Sequence, residues 1–156
     1  MGWMKDETGL EKRRASYVPL TPLSHLRRAA CVHAQRDAVV YGDFRTSYGE
    51  YHVRVSRLAS SLARLGVQPG DVVATVLPNI PAHVEAHFGV PACGAVLNAI
   101  NIRLDLHTIS YILDHGEARV VLVDTQFLGT VEAAIAEMEN ELRPTIIEVP
   151  DEQAGF

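Results

Sequence analysis

Most of the signals that would announce a partner are missing from this sequence. Only 6% of its 156 residues are aromatic, too few for a platform on which bases could stack. The 14 Lys and Arg are scattered among 19 Asp and Glu, for a formal charge of −5. That balance offers no basic stripe, so nucleic acid is not an expected partner. The longest nearly apolar run, FGVPACGAVLNAI, contains Pro and Gly and falls short of the roughly 18 residues a membrane-spanning helix needs. The opening MGWMKDETGLEKRRAS has no apolar centre, so it reads as neither a secretory signal nor a membrane anchor, and residues 1–16 are expected to form a polar, flexible tail. Cysteine is nearly absent. Cys31 and Cys93 lie far apart in hydrophobic surroundings, which points to reduced, buried thiols in a cytoplasmic protein and excludes a disulfide framework. Also missing are G-x-G-x-x-G and any glycine-rich loop ending in Lys-Ser or Lys-Thr, the two common phosphate cradles.

With those classes set aside, 47% hydrophobic and 21% charged residues describe one domain with a real core. Thr21 and Pro22 open a short helix with apolar residues at 23, 26 and 30. DAVVYGDFRTSY reads as a β-hairpin turning at Gly42-Asp43. SYGE, residues 47–50, is a capping box that starts a helix. Its apolar residues Tyr51, Val55, Leu58, Leu62 and Leu65 fall on one face, and Gly66 is placed to end it. Beyond it the pattern alternates: DVVATVL as a strand, a helix opened by Pro81, AVLNAI as a second buried strand, and a helix from Asp105 to Gly116. ARVVLVDT, a further helix over TVEAAIAEME, and TIIEV (145–149) complete the series. Strands that are apolar throughout and alternate with helices require a sheet covered on both faces. The expected class is therefore α/β, an open, mostly parallel, doubly wound sheet with flanking helices and an N-terminal hairpin. Residues 17–150 form that unit, and DEQAGF (151–156) reads as a loop cut short.

Four features invite a chemical reading. His83 and His87 stand four apart around Glu85, with Cys93 downstream. At about 100° per residue Glu85 points away from the direction the two histidines share, so three ligands cannot converge on an intact helix. A zinc deaminase would need P-C-x-x-C, and only Pro91-Ala92-Cys93 is present. The plain reading makes Ile80, Val84 and Phe88 the sheet-facing stripe, flanked by half-buried histidines. Pro91 is expected to end or kink that helix near Val90. Asp124, at the end of VVLVD, occupies the place of a receiver-domain phosphoacceptor, but no acidic pair accompanies it; its simpler role is to cap the following helix. Ser60-Ser61 have no base in register, and Arg13-Arg14 belong to a charge-mixed tail. No catalytic, cofactor-binding or metal-binding residue is assigned.

The order of the segments carries more information than any of these. LGVQPGDVVATVLPN, then GVPACGAVLNAIN with Arg103 after it, then YILDHGEARVVLVD resemble the N-terminal portion of the AMP-forming acyl-CoA synthetases, the adenylate-forming superfamily, from about Tyr17 to Met138. YVPLTPLSHLRRAA is similar to the subgroup taking short or medium carboxylic acids, which includes methylmercaptopropionate-CoA ligases. The resemblance implies a ligase that joins a carboxylic acid to coenzyme A (CoA) through an acyl-adenylate, using ATP and Mg²⁺. It also implies that the phosphate loop, the adenine and ribose motifs and the C-terminal lysine lie outside these 156 residues. The chain is then one subdomain of a larger N-terminal domain, inactive alone, binding no cofactor alone, and inclined to self-associate through uncovered apolar surface. The alternatives are a stand-alone, non-catalytic α/β binding or regulatory module and a receiver-like signalling domain.

Overall fold

A computed structural model describes residues 13, 17–18 and 21–151 of the chain. The expected tail lies outside these residues except at Arg13, Arg14 included among those not described, and so do residues 152–156. The first helix, α1 (Pro22–Val32), begins at Thr21 with Pro22 in its first turn. Strands β1 (Asp37–Tyr41) and β2 (Phe44–Ser47) pair antiparallel about the Gly42-Asp43 turn. Helix α2 (Tyr48–Arg64) starts on a complete capping box: the Glu50 amide donates to the Ser47 hydroxyl and the Ser47 amide donates to the Glu50 carboxylate. It ends in a Schellman turn, with the Val67 amide on the Leu62 carbonyl at 3.1 Å and Gly66 at φ 88°, a conformation that glycine adopts without strain.

Then come β3 (Val72–Val76), α3 (Pro81–Ala92), β4 (Val96–Ala99), α4 (Leu106–His115), β5 (Ala118–Asp124), α5 (Leu128–Ala136) and β6 (Thr145–Val149). The four later strands form a wholly parallel sheet in the order β4-β3-β5-β6. Alternate residues of the central strands face opposite ways. Ala74, Val76, Val121 and Val123 pack against Ile109 and Leu113 of α4 and Val131 and Ala134 of α5. Val73, Leu77, Val120 and Leu122 pack against Leu62 of α2 and Ala86 and Val90 of α3. Both faces are covered, so the doubly wound α/β architecture is as expected, with α4 bounded by Asp105 and Gly116.

Several details differ from the expectations. The buried side of α3 is Ala86, Gly89 and Val90, while Val84 is 40% exposed; the helix is turned so that its small residues meet α2. A Cβ on Gly89 would stand 2.6 Å from Leu58 Cδ2, so glycine there sets how closely the two helices approach. Phe88 leaves the sheet and meets Tyr51 edge-to-face, ring centroids 5.7 Å apart. Helix α3 runs through Pro91 and stops one residue later, at Ala92. Strand β4 is an edge strand with Val96 52% exposed, so it is not the buried strand its apolar sequence suggested. Leu65, expected on the buried face of α2, is 55% exposed just before the Gly66 turn. A 3-10 turn over Thr125–Phe127 brings α5 in early, from Leu128 to Ala136. Cys31 is exposed on the outer side of α1, and Cys93 is half-buried, its thiol donating to the Val90 carbonyl at 3.1 Å.

Charge is not evenly scattered either. Residues 21–64 carry seven Arg against three acids, whereas residues 65–151 carry three Arg against twelve. The helix–hairpin–helix layer is cationic and the sheet half strongly anionic.

Candidate functional site

In a parallel α/β sheet, ligands are taken in the crevice at the carboxyl ends of the strands, where neighbouring loops turn to opposite faces. Here that point lies between β3, which leads to α3 on one face, and β5, which leads to α5 on the other. Three segments close this edge: residues 77–80 after β3, 100–105 after β4 and 124–127 after β5.

The first segment is built to satisfy itself. Pro78 and Pro81 carry no amide hydrogen, and the Ile80 amide is spent on the Pro78 carbonyl at 2.8 Å. Nothing here resembles a row of free amides waiting for phosphate. His83 turns back under the loop, with Nδ1 3.1 Å from the Pro78 carbonyl and Nε2 3.4 Å from Thr75 Oγ1. Burial lowers its pKa, the neighbouring His87 adds to that, and the bond to Pro78 opposes them. The ring is therefore neutral at pH 7, and the network assigns the proton to Nδ1, donating to Pro78. Thr75 is wholly buried, and this hydroxyl–imidazole pair joins strand to helix.

His87 is exposed, its Nδ1 2.8 Å from the His83 carbonyl and its ring 4.8 Å from that of His83. Glu85 is directed the other way and forms an ion pair with Arg54 of α2. The His-x-Glu-x-His geometry thus opens outward, as the helical spacing requires. Among the described residues no group of three His, Cys, Asp or Glu could hold a metal ion.

After β4, Asn101 Oδ1 accepts from the Arg103 amide at 3.0 Å and leaves the Arg103 side chain at the surface. Asp105 caps α4, accepting from the Thr108 amide at 3.0 Å and hydroxyl at 2.7 Å; these bonds, the hydroxyl first, hold its carboxyl below the usual range. After β5, Asp124 is 3% exposed. One of its oxygens accepts from the Gln126 amide at 3.0 Å; the other is buried without a partner among the described residues. A phosphoacceptor must meet its donor in solvent, and this carboxylate is closed off, so capping is the role the geometry supports. Just past β6, Asp151 accepts from the Tyr41 hydroxyl at 2.7 Å, tying the hairpin to this edge. That bond, then desolvation and the charges of Asp151 and Asp124, raise the Tyr41 pKa. Ser60 and Ser61 lie exposed on α2, and Arg13 is exposed.

Among the described residues, the polar groups at this edge serve as caps and ties. Sequence reasoning missed the Thr75–His83 and Tyr41–Asp151 bonds. Their partners are 8 and 110 residues apart, and only the Thr75–His83 spacing, strand end to helix start, left a local trace.

Residues 26–154 match the family model for AMP-binding enzymes. The chain belongs to that family. It is 43% identical over 152 residues to the peroxisomal acetate/butyrate–CoA ligase of Arabidopsis thaliana, covering 94% of this chain and 27% of that one. It is 45% identical over 126 residues to the peroxisomal trans-cinnamate:CoA ligase of Petunia hybrida, covering 81% of this chain and 22% of the other. The fold matches that of a fatty acyl CoA synthetase from Mycobacterium tuberculosis with a TM-score of 0.75 at 27% identity, over 81% of this chain and 26% of that one. The AMP-binding chain therefore spans about a quarter of the length of the relatives it matches. These matches agree with the resemblance carried by LGVQPGDVVATVLPN and the segments after it.

Proposed function

We propose that this chain is the N-terminal segment of an AMP-forming acyl-CoA ligase acting on a small carboxylic acid. In the parent reaction the carboxylate attacks the α-phosphate of ATP, forming a mixed anhydride with AMP and releasing pyrophosphate. The thiol of CoA then attacks the acyl carbon, forms the thioester and releases AMP. The observation that supports this best is the 43% identity to an acetate/butyrate–CoA ligase across nearly the whole chain. The step that joins two anions demands cations and preorganised donors around the polyphosphate. The described residues offer no three-ligand metal cluster, and the prolines of the β3–α3 loop leave no phosphate cradle, so no step through Mg²⁺ is assigned to them. The segment's role is to frame the larger domain as one of its subdomains, with residues 17–150 as the unit.

On this reading the chain alone does not activate carboxylates. ATP–pyrophosphate exchange by the purified 156-residue chain, offered acetate, propionate, butyrate and 2-methylpropanoate, should stay at background; exchange above background would overturn the reading. Self-association belongs to the same proposal. Edge strands β4 and β6 present free backbone groups, and Val96 is half exposed on one of them. A strict monomer in light scattering would contradict that part. The cytoplasmic location rests on the two unpaired cysteines, beside the peroxisomal location named for two relatives. Among the described residues no helix is long and apolar enough to cross a membrane.

A further inference from the structure

We propose that the groove between β2 and α2 is a binding site for a small-molecule phosphate group. The groove has a volume of about 590 Å³, and three guanidinium groups line it: Arg45 from β2, and Arg54 and Arg57 from α2. Residues 54 and 57 are three apart on one helix, so both side chains leave the same face. The described part of this layer has no lysine. Arginine offers a planar fork that matches the oxygens of phosphate two at a time, which a point charge does not.

Two of the three guanidiniums are already held in place. Arg45 donates to the carbonyls of Gly42 at 3.0 Å and Phe44 at 3.4 Å and lies 4.0 Å from the Asp37 carboxylate of β1, and Arg54 is fixed by its ion pair with Glu85 on α3. Arg57 has no hydrogen-bond or ion-pair partner among the described residues, although its neighbours do. Arg57 is therefore the one of the three guanidiniums whose donors are all open to an anion, with two positioned guanidiniums lining the same groove. Glu50 is the one acid lining the groove, and its carboxylate is occupied by the Ser47 amide and hydroxyl. Counting Asp37 and Glu85, three acids meet the three Arg, and Arg57 is the guanidinium that no carboxylate holds, inside a layer of seven Arg and three acids.

The first amides of α2 take no part. Those of Tyr48, Gly49 and Glu50 donate to Arg36 O, Ala34 O and Ser47 Oγ, so the site rests on side chains and not on the helix end. A short groove closed by a hairpin suits a phosphate on a small molecule; an extended acidic chain would need cationic residues along a longer track. The inference does not depend on the ligase reading, since none of these residues lies at the carboxyl edge of the sheet.

Calorimetric titration of the 156-residue chain with inorganic pyrophosphate, and separately with inorganic phosphate, tests it. One saturable site is expected, weakened about tenfold by Arg57→Gln, the loss typical of one charge-assisted bond. Arg64→Gln, which removes the same charge from α2 outside the groove, should leave the affinity within about twofold. Arg57→Lys should fall between wild type and Arg57→Gln, because it keeps the charge and loses the fork. Circular dichroism would show that the exposed substitutions leave the fold intact. The proposal is overturned if no saturable binding occurs, or if Arg57→Gln and Arg64→Gln weaken it equally, which would mean a diffuse field only. It is also overturned if polyglutamate binds through Arg57 and neither phosphate nor pyrophosphate does, which would assign the groove to an acidic protein.

Discussion

Between Thr21 and Arg64 two helices and a hairpin close around a cluster of three buried residues, Leu26, Tyr51 and Val55. Between Val72 and Val149 the parallel sheet separates two clusters of buried residues, twelve on one face and eight on the other, where Leu62 and Val67 join from α2 and the turn after it. The first region holds little core and carries most of the arginine; the second holds most of the core and most of the acid. The contrast shows how the two tasks are divided. Burial of apolar side chains, about 1.5–3 kcal/mol each for the large ones, is concentrated where helices cover both faces of a sheet. The layer that leans on this frame through Leu62, Phe88 and Tyr51 needs less core of its own, and its outer surface is free to carry charge. The Tyr51 hydroxyl, donating to the Val84 carbonyl at 2.7 Å, is one of the few polar ties between them; its pKa is pushed up by burial and then by the Glu85 charge.

The sharpest way to break this comparison is to empty a side chain from each region. Leu113 is fully buried between α4 and the sheet, and Leu113→Ala should cost about 3–5 kcal/mol in urea unfolding. Leu26→Ala, in the three-member cluster, should cost about 2 kcal/mol; equal losses would contradict the division. Next comes the contact between the regions. Gly89→Ala would drive a methyl into Leu58, an overpacking cost of about 1–3 kcal/mol. Leu58→Ala in the same chain should recover part of it, which a double-mutant cycle would show as coupling. A smaller effect is local to the arginine layer: Ser47→Ala removes the α2 cap and should lower stability by about 1 kcal/mol, leaving the sheet amides unchanged in hydrogen exchange.

The smallest effect is a pH dependence. Since the folded pKa of His83 lies below its ordinary value, the unfolded chain binds more protons in the window between the two. Stability is then full above about pH 6.5 and falls as the pH drops through that window. His83→Gln should flatten this slope in denaturant midpoints measured from pH 7.5 to 5.5. An unchanged slope would show that burial of His83 does not set this pH dependence.

What could be read in advance was what is encoded locally. Ser47 and Glu50 are three apart, Gly66 follows its helix directly, and Asp105 and Gly116 bracket α4; each signal acts within a turn or two of itself. The rotation of α3 was not legible, because PAHVEAHFGVPA has apolar or small residues on every side and no single stripe. Its orientation is set by Gly89 fitting against Leu58, a partner on another helix. Strand order was hidden for the same reason: VLNA is as apolar as a central strand, and only the crossover of α4 leaves it at the edge. Cys31 sits among apolar neighbours in sequence, yet leaves α1 on the side opposite Leu26. The arginine groove needed the hairpin folded against α2 before Arg45 could face Arg54 and Arg57. At the carboxyl edge, Asp124 was legible as a cap, while its buried, unpartnered oxygen was not.

The central claim is that the doubly covered sheet is the frame and the arginine layer rests on it. Native-state hydrogen exchange of the chain tests this directly. The amides of β3 and β5 should exchange only through global unfolding, with those of α1 and the β1–β2 hairpin opening at a lower free energy. A single opening free energy shared by α1, the hairpin and the central strands would contradict the account.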